Sequence, residues 1–157
     1  MSERARDRSC VLWLATAAAA LAGACSTVAL GDPPAGTNSC RPSQAFFVER
    51  VWGEFLSVPH NGKTCADSGC HDDSSGRLLR LVQPDPGDPT TVPLLPGSTW
   101  ELNYRSASQQ MICTNVRASE LFTRPAGLVI HGVGGALIDP VNGPEGPLLD
   151  MWVAATP

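Results

Sequence analysis

The sequence predicts a mainly α-helical fold. Apolar residues return at three- and four-residue spacing in three separate stretches, the pattern of helices with one buried face. Between those stretches the chain is crowded with Pro and Gly, 14 and 15 of them in 157 residues, which exclude long regular elements there. No internal repeat is visible, so the folded part reads as one small domain with a limited core, of the size that benefits from a covalent or cofactor staple.

Residues 1–24 read as a secretion signal. Arg4, Arg6 and Arg8 form a basic start, and Val11 to Ala24 is an uncharged apolar stretch. That stretch is shorter than the roughly 18 residues of a membrane span. It ends in Leu21-Ala22-Gly23-Ala24-Cys25, which resembles the lipobox of bacterial lipoproteins; the resemblance implies lipidation at Cys25, the alternative being ordinary cleavage after Ala24 without lipid. Residues 25–39 are small, polar and rich in Gly and Pro, a flexible tether. The domain is then residues 40–157. Export places it in an oxidising compartment, where disulfides persist. The expected location is the periplasm or cell surface, with a lipid at Cys25 as the only membrane contact.

Ser43 is the expected N-cap of the first helix. Phe47, Val51 and Phe55 recur at four-residue spacing with Val48 and Trp52 beside them, and Glu49, Arg50 and Glu54 fall on the opposite side. Pro59 and Asn61-Gly62 end this helix. Arg77 to Val82 predicts a short strand or a single turn. Residues 84–98 carry five prolines and predict loop, with at most one short extended pair. Ser98 or Thr99 caps a second helix, with Glu101 in its first turn and Trp100, Tyr104, Ala107 and Met111 as its apolar stripe. A shorter third helix is expected from Val116 to Phe122. Pro125 to Gly135 is a glycine-rich loop that contains His131. Pro144 to Ala155 predicts a terminal helix with Leu148, Leu149, Trp152 and Val153 on its apolar face.

Removing Glu3, Asp7, Arg4, Arg6 and Arg8 with the leader leaves 13 acidic and 8 basic residues, a net charge of −5. Lys63 is the only lysine. With no basic stripe, nucleic acid is excluded as a partner. No Ser-His-Asp or paired-carboxylate pattern points to a hydrolase, and the glycines at 132–135 lack the strand-before and helix-after context of a phosphate loop.

The chemistry concentrates in Cys65-Ala-Asp-Ser-Gly-Cys70-His71. Two cysteines followed by histidine suit covalent haem attachment: two thiols add to two vinyl groups, and the adjacent imidazole ligates the iron. Four residues separate the cysteines where two are usual. The bulge this needs is supplied by Ser68-Gly69, since glycine accepts positive φ. His131 is the expected second iron ligand, with Met111 the alternative. Met151 and His60 are further candidates. His60, Cys65, Cys70 and His71 also form a possible zinc set. Beyond Cys25, four cysteines remain in the mature chain. Three disulfide connectivities are open to them, and the haem reading leaves Cys40 and Cys113 as the pair.

The chain resembles small cytochrome c-type domains of exported lipoproteins in myxobacteria and planctomycetes. Four places carry the resemblance: Phe46-Phe47-Val48 to Phe55; Cys65 to His71 with Asp72; Ala118 to Phe122 through Pro125 to His131-Gly132-Val133-Gly134-Gly135; and Gly143-Pro144-Glu145 to Val153. The resemblance implies a cytochrome c-like helical domain whose first and last helices cross. It implies Cys65 and Cys70 as thioether sites, His71 as proximal ligand and His131 as distal ligand. The expected function is one-electron transfer through a covalent haem c to a redox partner protein, with no substrate turnover. Trp52, Trp100, Tyr104 and Phe122 are expected to pack on the haem or on one another. The alternatives are a disulfide-stapled envelope lipoprotein without haem and a peroxidase with five-coordinate haem.

Overall fold

A computed structural model describes residues 40–131 and 135–155. The leader, Cys25, the tether, and Gly132 and Gly134 of the expected histidine loop lie outside the described residues. The described residues belong to one compact unit. Among them the fold is helical and contains no strand; the single β-type pairing is an isolated bridge between His60 and Lys63. No helix among them is long and apolar enough to cross a membrane.

The first helix starts as expected at Ser43, whose hydroxyl accepts the Phe46 N–H. One α-helical turn, α1 (Gln44–Phe46), runs directly into a π-helical stretch, Phe47–Leu56. The wider winding is visible at its end, where Ser57 N–H donates to the Trp52 carbonyl five residues back at 2.9 Å. Of the side chains the sequence assigns to the apolar face, Phe47, Val51, Trp52 and Phe55 are buried and Val48 is partly buried; Leu56 is buried as well. Arg50 and Glu54 pair on the solvent side.

Helix α2 (Thr99–Gln109) has the cap its sequence calls for, with Ser98 Oγ accepting the Glu101 N–H at 3.2 Å. Trp100, Tyr104, Ala107 and Met111 are all buried. The expected third helix is broken instead into a 3₁₀ turn, Val116–Ala118, and α3 (Glu120–Thr123). Ser119 interrupts it with extended backbone angles, φ −65° and ψ 140°. Its buried hydroxyl accepts the Ile112 N–H at 2.8 Å, a bond that fixes the chain turn between α2 and α3. Helix α4 (Glu145–Ala154) buries Leu148, Leu149 and Trp152.

The segment 77–82 forms neither a strand nor a regular turn. It is held by side chains: the buried Asn103 accepts Val82 N–H at 2.8 Å and donates to Val82 O at 2.7 Å. A side-chain amide thus supplies both partners that a neighbouring strand would have given. Residues 84–98 are loop without an extended pair, tied to α1 by Leu94 N–H donating to Gln44 Oε1 at 3.0 Å.

Phe47 lies at the centre of the core. Its ring meets Trp152 at 5.4 Å, Tyr104 at 5.7 Å and Trp52 at 6.5 Å between centroids. Such pairs contribute about 0.5–1.5 kcal/mol each beyond the area they bury. Trp52 in turn packs edge-on against Trp100 at 5.6 Å. The polar ends of two of these rings are satisfied at the start of the domain. Tyr104 OH donates to Pro42 O at 2.7 Å, and Trp152 Nε1–H donates to Ser43 O at 2.9 Å. Cys40 and Cys113 form a disulfide across 73 positions, Cα–Cα 5.4 Å. On the chain-entropy view, a loop of that length gives about 4 kcal/mol.

Replacing Tyr104 by Phe leaves the buried Pro42 carbonyl without a partner. Urea unfolding of this variant should show a loss of about 1–3 kcal/mol, with the slope of the transition unchanged. Reducing the Cys40–Cys113 bridge should lower the midpoint further than Tyr104→Phe does.

Candidate functional site

A cavity of about 570 Å³ opens where the first helix ends, beside the Cys65–His71 segment. Its size lies within the range of roughly 300–1,000 Å³ found for small-molecule and cofactor sites. The wall is largely apolar, with Phe55, Leu56, Leu79, Leu121 and Leu137 among its residues. Leu78 and Ile130 stand at its mouth and are 82% and 91% exposed. All three histidines of the chain line it, as do Cys65 and Cys70, the two cysteines outside the disulfide among the described residues.

Backbone hydrogen bonds hold the motif in place. Cys65 N–H donates to the Leu56 carbonyl at 3.0 Å, which hangs the first cysteine from the end of the first helix. His71 N–H donates back to Cys65 O at 3.0 Å and closes the segment into a loop. Within it, Asp67 Oδ2 accepts Thr64 N–H at 2.8 Å, and Cys70 N–H donates to Asp67 O at 2.9 Å. Gly69 has φ +80°, a conformation that a residue with a Cβ adopts only at a cost. The longer gap between the cysteines is therefore accommodated by a turn with bonds of its own. The chain leaves through Leu81 N–H, which donates to His71 O at 2.6 Å.

The ring of His71 is oriented by its own partner. Its Nδ1 lies 3.0 Å from the Leu79 carbonyl. A carbonyl only accepts, so Nδ1 carries the proton and Nε2 keeps its lone pair. This is the arrangement by which metal-binding histidines are usually fixed. Burial pushes the His71 pKa down. The Leu79 carbonyl works against that, and the Arg77 and Arg124 guanidiniums and the His131 ring add to it. His131 is lowered by burial and by the same two arginines. Both rings are thus biased toward the neutral form that binds metals.

His131 reaches the same cavity from the other side. Its loop is pinned at the base, where Pro125 O accepts Leu137 N–H at 2.7 Å and Ile138 N–H at 3.2 Å. Gly127, at φ +71°, lies where a Cβ would press on Ala136 at 3.2 Å, so the two arms of the loop approach closely only with glycine there. The His71 and His131 ring centroids are 5.9 Å apart, with 28° between planes. The two rings are stacked, and both line the cavity. His131 Nδ1 is buried with no hydrogen-bond partner.

Other expected residues are placed elsewhere. Met111 is fully buried in the core and does not line the cavity; Met151 is 45% exposed on α4. Trp52, Trp100, Tyr104 and Phe122 pack in the core and are absent from the cavity wall, where Phe55 supplies the aromatic surface. His60 does line the cavity. Among the described residues no group of three or more His, Cys, Asp or Glu side chains is placed to hold a metal ion. Lys63, Arg77 and Arg124 in the wall were not singled out by the sequence as site residues. They outnumber the one wall carboxylate, Glu120, in a chain of net negative charge.

Comparison with protein-family models, with curated proteins and with solved structures finds no match for this chain. The residues themselves carry the functional argument.

Burial pushes the Cys65 thiol up to about 12, with Cys70 and Asp67 adding to the effect. Between the ordinary thiol range and that value, the folded chain keeps a proton that the unfolded chain has lost. In the folded protein at pH 8, alkylation of Cys65 by iodoacetamide should be on the order of a hundredfold slower than in denaturant. Mass spectrometry of the labelled peptides would read this. Equal rates in the two states would contradict the raised pKa of this half-buried thiol.

Proposed function

We propose that this chain is an exported lipoprotein, anchored through Cys25, with a cytochrome c-like domain that carries one covalently attached haem c and transfers single electrons. One observation carries the reading: Cys65, Cys70, His71 and His131 line a single apolar cavity, with the two imidazoles 5.9 Å apart. The donor set fits the group. Cys65 and Cys70 are unpaired thiols, and each would add its S–H across a vinyl group, sulfur to one carbon and hydrogen to the other, with no oxidant needed. The alternative is a haem-free envelope lipoprotein in which Cys65 and Cys70 form a disulfide staple.

Haem would supply the one-electron redox chemistry. The chain's part is to hold and tune it. In this reading His71, steered by Leu79 O, and His131 would hold the iron. If both imidazoles held the iron, a carrier role would be favoured over a peroxidase one. They also favour a lower potential than a histidine–methionine pair. The apolar wall keeps the site in low dielectric, and a partner protein would exchange electrons at the mouth beside Leu78 and Ile130.

The double variant Cys65→Ser, Cys70→Ser should be exported and folded but should lose covalent haem. Circular dichroism and the absorbance of the purified protein read this. Haem that stays bonded to the double variant would contradict the assignment of the thioether sites. His131→Ala should convert a six-coordinate, low-spin spectrum to a high-spin one, and an unchanged spectrum would exclude His131 as a ligand.

A further inference from the structure

The cavity wall contains a second recognition element, on the turn that precedes the cysteine motif. Asn61 has φ +54° and Gly62 φ +82°, the two left-handed residues of a tight hairpin turn of the Asn-Gly kind. His60 N–H donates to Lys63 O at 2.8 Å and Lys63 N–H to His60 O at 3.2 Å. Residues that exchange both bonds in this way lie directly opposite and send their side chains to the same side. Here that side is the cavity, which both residues line. The His60 ring is steadied by an edge contact with Phe55, 6.2 Å between centroids.

Both side chains have hydrogen-bonding capacity left over. His60 Nε2 is buried and has no partner, a condition that calls for something in the cavity to supply one. Among the described residues nothing pairs with the Lys63 ammonium. The other cations of the wall are already engaged. Arg77 donates to Gly69 O, and Arg124 donates to Glu120 Oε2 at 3.0 Å and to Ile130 O at 3.3 Å.

We propose that the His60–Lys63 turn is the carboxylate-binding subsite of the cavity, His60 Nε2–H and the Lys63 ammonium together holding the propionate edge of the macrocycle. The inference rests on the reading of the cavity as a haem site. Cys65, Cys70, His71 and His131 would hold the group in the cavity, and the His60–Lys63 turn would select its carboxylate-bearing edge. Charge-assisted bonds of this kind are the stronger class, and they would hold the porphyrin in register before the thiols react.

The test uses the protein exported by a host without cytochrome c maturation, titrated with iron protoporphyrin and with its dimethyl ester, followed by tryptophan quenching. Wild type should bind the free acid about tenfold or more tightly than the ester. Lys63→Gln and His60→Phe should each weaken binding of the free acid by about tenfold and leave the ester unaffected; His60→Gln, which keeps an N–H donor, should retain most of the preference. Lys63 is exposed, so its variant tests the subsite without disturbing the core. Equal affinity of wild type for acid and ester, or variants that weaken both ligands alike, would overturn the proposal and leave the haem reading standing. Failure of wild type to bind either porphyrin would sink the haem reading and the proposal with it.

Discussion

Five consecutive residues, Cys40 to Gln44, tie the rest of the domain together. Cys40 is bonded to Cys113 beyond α2. The carbonyls of Pro42 and Ser43 accept from Tyr104 on α2 and Trp152 on α4. The Ser43 hydroxyl caps the first helix, and the Gln44 side chain holds the proline-rich loop at Leu94. Pro42 and Ser43 are buried, so a lost partner here leaves a polar group in a medium that cannot replace it. The aromatic cluster around Phe47 depends on this corner, because the two rings that enclose Phe47 are oriented by these carbonyls. A small domain with a limited apolar core gains much of its order from such a junction.

The corner governs the site through the first helix. That helix ends at Leu56, whose carbonyl holds Cys65. Cys65 O holds His71, and His71 O holds Leu81. Next along the chain, Val82 is clamped by Asn103 on α2. A continuous run of bonds thus leads from the core through both ends of the motif and back to the core. The wide winding of Phe47–Leu56 sits at the start of that run, and π-type turns inside helices are often found near functional sites. On the opposite side, the Pro125 carbonyl closes the loop that delivers His131. The cavity is the space between these two supported loops.

Much of the helical frame was legible in the sequence because burial imposes a period. Phe47, Val51 and Phe55, then Trp100, Tyr104 and Ala107, then Leu148, Leu149 and Trp152 each mark a face that the fold does bury. The winding of the first helix was not legible, since a π turn changes backbone bonds while burying the same residues. The break at Ser119 was hidden for another reason: it depends on a bond to Ile112, in a different segment. Cys65, Cys70 and His71 announced themselves by spacing, and His131 by the glycines around it. The aromatic residues Trp52, Trp100, Tyr104 and Phe122 carried no mark to tell core from cavity, and the fold put them in the core. His60 and Lys63 have one local signal, the Asn61-Gly62 turn, but which way that turn faces is a tertiary matter.

The electrostatics of the cavity agree with its proposed use. The rings of His71 and His131 are desolvated and lie near two guanidiniums, so protonation is disfavoured at both. Burial raises the pKa of the Cys65 thiol to about 12, with Cys70 and Asp67 adding to the effect, which keeps the less reactive protonated form. The most direct test is a pyridine haemochrome spectrum of the mature protein, exported in a host competent for cytochrome c maturation, denatured and extracted with acid–acetone. A c-type band that remains with the polypeptide is the predicted result. A folded, exported and colourless protein would contradict the haem reading and leave the cavity to another ligand.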